Sequence, residues 1–137
     1  MLMVGSILLP MGAGVFLALA RPRDRRQRQD YVVGSALAAA VLALIAVFSC
    51  LGQEPLVLLR LNDHLSVAFR VDGLSCLFAC MVSLLWPLAC LYAGEYMSRE
   101  GGENRFFTFY LMAFGVTLGI AFSANVLTMY FFYELLT

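Results

Sequence analysis

Residues Tyr31 to Leu51 read YVVGSALAAAVLALIAVFSCL, an unbroken run with no charged side chain. A helix needs about 20 apolar residues to cross a hydrocarbon core of roughly 30 Å, and this run is long enough. Similar runs occur at Met1–Ala20, from DGLS at Asp72–Ser75 to about Tyr92, and at Phe106–Phe122. The whole chain is 62% hydrophobic and only 13% charged. A soluble domain would be about 45–50% apolar with about 25% charged residues, so the pattern is that of an integral membrane protein. Barrel strands alternate apolar and polar positions over about 10 residues. The continuous runs here exclude that class. The expected fold is all-α and multi-pass: four transmembrane helices plus the first half of a fifth, with a short extracytoplasmic β-hairpin.

The stretch before the opening run is RPRDRRQRQD, Arg21 to Asp30, with five arginines and two aspartates. A signal peptide carries its positive charge ahead of its apolar region, whereas here the charge follows Met1–Ala20. Between two spanning segments an arginine cluster marks topology. The positive-inside rule puts it in the cytoplasm and the N-terminus outside. All nine basic residues are arginine and the formal net charge is zero. The charge balance therefore gives no reason to expect a nucleic-acid partner. Cys50, Cys76, Cys80 and Cys90 all fall in apolar runs. Zinc ligands cluster closely with Cys or His, so these are read as small packing residues, and no metal or cofactor is expected on this chain.

After the second span the pattern changes. LVLLRL at Leu56–Leu61 and HLSVAF at His64–Phe69 flank Asn62-Asp63. The second half alternates, with Leu65, Val67 and Phe69 on one side and His64, Ser66 and Arg70 on the other. Two short strands around a polar pair predict a β-hairpin, with His64 as an exposed turn residue. Asp72 then fits an N-cap, its carboxylate accepting free amides of the next helix. Pro87 should bend that helix by removing a hydrogen bond. Ala93–Arg105 is expected to be a cytoplasmic loop. Gly115 and Gly119 have the spacing of close helix packing, continued by Ser123. Ser123–Asn125 allows only a short turn before a fifth span from Val126.

Eight of the nine acids lie in expected loops or at a helix end. Glu134 lies inside an apolar run, eight residues from Val126, or about 12 Å at roughly 1.5 Å per residue. That is near the middle of a core of about 30 Å. An ionisable group at that depth marks ion paths and proton relays by default. Burial raises a carboxyl pKa and a nearby cation lowers it, so a Glu between the two effects can load and release a proton. Tyr130 and Thr137, four residues before and three after, share its helix face and are the expected supporting groups of a proton path. Val126–Thr137 covers only about 18 Å, too little to cross, so the chain is expected to be an N-terminal fragment ending inside a span.

FRVDGLS at Phe69–Ser75, LYAGEYM at Leu91–Met97, RFFTFY at Arg105–Tyr110 and ANVLTMYFFYELLT at Ala124–Thr137 occur in that order. Together they resemble the N-terminal part of the antiporter-like, proton-translocating subunits of respiratory complex I, the Mrp sodium/proton antiporter and membrane-bound hydrogenases. The resemblance runs from the hairpin to the end of the chain. It implies inverted helix repeats, the first starting at the fourth helix, and a fifth-helix Glu paired with a seventh-helix Lys. The matching Glu is Glu134. Asp72 matches an acid at the start of the third helix and is read as structural.

The implied organisation is residues 1–71 for the first two helices, basic loop and hairpin, 72–105 for the third helix and its loop, and 106–137 for the start of the first repeat. The implied function is a non-redox membrane subunit of a proton-translocating complex such as NADH:quinone oxidoreductase or a hydrogenase. Quinone, flavin or iron–sulfur centres would then lie only in partner subunits. Its partners would be other membrane subunits, the lipid bilayer and protons, in a prokaryotic-type inner membrane. An Mrp-type antiporter subunit handling sodium and a non-transporting membrane scaffold are the alternatives.

Overall fold

A computed structural model describes residues 1–62 and 64–137. Asp63, half of the expected turn, lies outside the described residues. The elements in chain order are α1 (Leu2–Ala20), α2 (Arg25–Cys50), β1 (Leu56–Asn62), β2 (Leu65–Phe69), α3 (Gly73–Glu100), α4 (Glu103–Phe122) and α5 (Val126–Leu136). The first four helices are each long and apolar enough to cross a membrane, while α5 is a shorter apolar helix. The described residues therefore form four helices of membrane-spanning length, a shorter fifth helix and one small antiparallel sheet.

The helices reach further into the charged segments than apolarity suggests. α2 begins at Arg25 rather than near Tyr31. α3 runs on through Gly94 and Tyr96 to Glu100, and α4 starts at Glu103. The loop expected over Ala93–Arg105 is thus only Gly101-Gly102, both with positive φ (79° and 74°). Arg, Gln, Glu and Met are good helix formers. Charge ends the membrane-spanning part of such a helix but not the helix itself.

The α1–α2 corner has a different solution. Pro22 disfavours right-handed helical backbone in the residue before it. Arg21 closes α1 as a left-handed C-cap (φ 39°, ψ 59°), its N–H donating to the Leu17 carbonyl at 3.1 Å, a helix end after which proline is common. That conformation costs a non-glycine residue about 1–2 kcal/mol. α2 restarts at Asp24, whose carboxylate accepts the Arg26 N–H.

α1 is packed between α2 and α4, and α3 leans on both α2 and α4. α2 contributes small side chains: Ala36, Ala39, Ala43 and Ala46 are fully buried. α4 contributes large ones, with Phe107, Leu111, Phe114, Leu118 and Phe122 buried along one stripe. Lipid tails are as apolar as these side chains, so close van der Waals fit and polar contacts hold such a bundle together. The fit is tightest at the two glycines with small-residue spacing. A Cβ on Gly115 would lie 2.6 Å from the Ile7 carbonyl of α1, and one on Gly119 would lie 2.5 Å from the Phe132 ring of α5. The two glycines therefore admit two different neighbours.

Helix α3 is unbroken through Pro87. Beside it the Tyr110 hydroxyl donates to the Trp86 carbonyl at 2.6 Å, and the Trp86 indole N–H donates to the Tyr110 carbonyl at 3.3 Å. This reciprocal pair ties α3 to α4, and Trp86 also stacks on Phe114.

In the hairpin, Leu56 pairs with Phe69 and Asn62 with Leu65, with register irregularities between Val57 and Leu59 and between Arg60 and Asn62. The expected side-to-side alternation does not govern burial. Leu65 is exposed, while the adjacent Ala68 and Phe69 are both buried. Burial rises along β2 because its far end packs on α5.

Gly115→Ala should force α1 and α4 apart and cost about 1–3 kcal/mol as overpacking. Gly12→Ala meets nothing within 4 Å and should instead gain about 0.5–1 kcal/mol from helix propensity. Unfolding in detergent, followed by circular dichroism, measures both.

Candidate functional site

Helix α5 carries Tyr130 and Glu134, two of the three residues expected in the proton path, and Thr137 is its C-cap, so what holds α5 decides the site. It begins at a hydrogen-bonded junction with β2. Arg70 N–H donates to the Phe122 carbonyl at 2.8 Å, and Ala124 N–H donates to the Ala68 carbonyl at 2.9 Å. Phe69 and Ser123 form an antiparallel bridge between them. The short Ser123–Asn125 turn thus pairs with the free edge of the hairpin.

Asn125 caps α5. Its Oδ1 accepts the Thr128 N–H at 2.9 Å and the Thr128 hydroxyl at 2.7 Å, while its Nδ2 donates to the Ser66 carbonyl at 2.6 Å. The Thr128 hydroxyl oxygen in turn accepts the Ala68 N–H at 3.0 Å. Thr128 is 0% exposed, so this closed circuit is shielded from water. One turn on, Phe132 packs over Gly119 and against Phe69, with ring centroids 5.7 Å apart.

Thr128 and Phe132 are the buried face of α5. Glu134 follows Phe132 by two residues, or about 200° around the helix. Its side chain therefore leaves from the opposite, exposed face, and Tyr130 and Thr137 are exposed too. Tyr130 and Glu134 interact through their side chains. The Thr137 hydroxyl donates to the Glu134 backbone carbonyl at 3.2 Å, so its contact is with the backbone rather than the carboxylate. Among the described residues the ion pairs join Arg25 and Arg28 to Glu103, at the other end of the bundle. Glu134 belongs to neither. What the structure supplies is an aimed acid on an uncovered helix face.

Asp72 sits at the start of α3, where its Oδ1 accepts the Ser75 N–H at 2.8 Å. The Ser75 backbone amide, then its hydroxyl, hold the Asp72 carboxyl below its ordinary value of 3.8, with Arg70 adding to the effect and desolvation opposing it.

Three arrangements were not anticipated from the sequence. Asn125 and Thr128 do carry a local signal, since an Asn cap serves the amide three residues on. The Arg28–Glu103 pair joins residues 75 apart in sequence and has no such signal. The Trp86–Tyr110 pair likewise depends on how α3 and α4 pack.

Comparison with known proteins accords with this architecture. Residues 59–107 match the family model described as NADH-ubiquinone oxidoreductase (complex I), chain 5 N-terminus. A probable K+/H+ antiporter subunit of Rhizobium meliloti is 28% identical over 94% of the chain and 13% of its own length. A Na+/H+ antiporter subunit of Alkalihalophilus pseudofirmus is 39% identical over 47% of the chain and 8% of its own length. The NAD(P)H-quinone oxidoreductase chain 5 of a Picosynechococcus species is 33% identical over 53% of the chain and 11% of its own length. The chain spans well under a fifth of each of these relatives. The family-model match ends before α4 is complete and does not reach Glu134. The chain is thus similar both to a part of antiporter subunits and to a part of complex I chain 5.

Asn125→Ala removes the cap acceptor and should cost about 0.5–2 kcal/mol, with faster amide exchange at the start of α5 than in α4. Asp72→Ala should cost a similar, cap-sized amount of about 1 kcal/mol. Because the folded Asp72 carboxyl is more acidic than in the unfolded chain, its contribution is complete above the ordinary value of 3.8. It is lost as pH falls through the lowered folded value. A pH series of unfolding midpoints for wild type and Asp72→Ala should converge on acidification.

Proposed function

We propose that this segment is part of a proton-translocating membrane subunit in which Glu134 loads and releases the proton. The observation that carries the proposal is the placement of Glu134: an acid about 12 Å along a helix that is anchored at the hairpin end of the bundle, on the face turned away from its own bundle. Insertion scales put an acid at the centre of a spanning helix at about +2.5–3.5 kcal/mol. Glu134 must therefore be neutral there or meet a cation on its exposed face. Either state couples its protonation to what approaches that face. Tyr130, one turn back, is the supporting polar group. Thr137 supports the helix through the Glu134 carbonyl. Asp72 is structural, holding the start of α3.

The whole subunit would work with other membrane subunits of a redox-driven complex of the NADH:quinone oxidoreductase or hydrogenase type, where any quinone, flavin or iron–sulfur centre would reside. A second reading has its own support. The antiporter relatives are named for K+/H+ and Na+/H+ exchange, which favours a subunit that exchanges an alkali cation for protons. Both readings use Glu134 and place the Arg-rich end of the bundle in the cytoplasm.

Glu134→Gln keeps the shape and removes the titrating group. In inverted vesicles holding the assembled protein, it should lower proton transport by at least about tenfold, which is about 1.4 kcal/mol on the barrier, while assembly stays at the wild-type level. Glu134→Asp should retain part of the activity. Wild-type transport by an assembled Glu134→Gln protein would rule out the proton-carrying role. Sodium or potassium gradients that drive proton movement without an electron donor would select the exchanger reading.

A further inference from the structure

The Arg-rich end of the bundle contains a cavity that the transport reading leaves unused. It has a volume of about 620 Å³ and lies between the end of α1, the start of α2 and the start of α4. That is within the range of about 300–1,000 Å³ common for small-molecule sites. Arg21, Arg28 and Arg105 line it, with Glu103 as the acid. Three cations against one carboxylate leave the lining positive.

Arg28 is only 8% exposed. It pairs with Glu103, and its Nη1 donates to the Pro22 carbonyl at 3.2 Å. Its Nε is nevertheless buried without a hydrogen-bond partner, a donor left over among the residues that line the cavity. The first turn of α4 lies at the cavity, and its Gly102 cap offers no side-chain acceptor. A helix N-terminus without such a cap keeps free N–H groups and a partial positive charge.

Arg21 adds a further sign. Its left-handed backbone is one that glycine adopts without strain, yet the position holds a cation beside the cavity. The remaining lining includes Ala18, Thr108 and Phe109, and Phe109 is one of the large apolar side chains on the bundle's outer surface. The Arg105 guanidinium lies 6.0 Å from the Phe109 ring centroid. The cavity therefore has a basic end and an apolar edge on the surface that meets lipid.

We propose that this cavity binds the phosphate of an anionic membrane lipid, with Arg21, Arg105 and the first turn of α4 on the phosphate and Phe109 against the start of the acyl chain. Basic pockets between membrane helices suit such headgroups. Free phosphate shares the headgroup chemistry but has no use for the apolar edge. The proposal requires only the membrane bundle and is independent of Glu134.

Native mass spectrometry of the full chain in mild detergent tests it with three probes: phosphatidylglycerol, a galactosyl diacylglycerol without phosphate, and inorganic phosphate. Wild type should retain phosphatidylglycerol in preference to the galactolipid. Retention should fall about fivefold for each arginine removed, in Arg21→Gly and in Arg105→Gln. Arg21→Gly should keep or raise the thermal midpoint because glycine fits that backbone, so it carries the test even where Arg105→Gln folds poorly. Undiminished lipid retention by a folded Arg21→Gly/Arg105→Gln protein overturns the proposal, and so does equal retention of the galactolipid. Arginine-dependent binding of inorganic phosphate with no lipid retained overturns the lipid assignment.

Discussion

A bilayer offers no water to an unpaired backbone group, and each such group left in hydrocarbon costs several kcal/mol. Most features of this chain follow from that constraint. Where the chain spans, it is helical and satisfies itself. Where it turns at the hairpin end, the polar groups that helix ends leave over are taken up locally. The Phe122 carbonyl goes to Arg70, the Ala124 N–H to Ala68, and the Thr128 N–H to Asn125. The hairpin is therefore more than a loop outside the membrane, because its free edge completes the ends of α4 and α5.

The same constraint explains how much could be read from sequence. Long runs such as Tyr31–Leu51 announce spanning helices because hydrocarbon excludes charge, and four helices do stand at those places. The hairpin is legible from its strand-like residues and polar turn. The glycine spacing of α4 is legible as close packing, although not which glycine meets which neighbour. Helix ends are read less well. Apolarity marks where the membrane stops, whereas Arg25–Asp30 and Ala93–Glu100 continue as helix beyond it. Burial on the hairpin is set by where α5 lands rather than by alternation. For Glu134 and Tyr130, the position along a helix and a shared helix face can be read from the sequence. It does not give the direction of that face, which depends on Asn125, Thr128 and Phe132 finding Ser66, Ala68 and Gly119.

The two acids that matter most sit in contrasting settings. Glu103 is partly buried with Arg28 and has Arg25 nearby, at 4.0 Å. Removing one member of a buried pair costs about 3–5 kcal/mol because it strands the other. This pair joins α2 to α4 across the corner where α1 ends. Glu134 has no cation in the bundle, among the described residues, and stands on an open face. The first acid is tied to arginines of α2. The second is exposed, on the side of α5 opposite to Thr128 and Phe132.

What fixes the direction of Glu134 is the hydroxyl of Thr128. It accepts from Ala68 and donates to Asn125 at once, and only one rotation of α5 satisfies both bonds. A slip of one residue would turn the helix by about 100°, bury a different face and carry Glu134 toward the bundle. Phe132 reinforces the same rotation, because its ring occupies the space that the missing Gly119 side chain leaves. The contacts of Thr128 and Phe132 thus set the heading of an acid that lies six residues, or about 9 Å, beyond Thr128 along the helix. Orientation is set from the edge, and among the described residues the exposed face of α5 takes part in no ion pair with its own bundle.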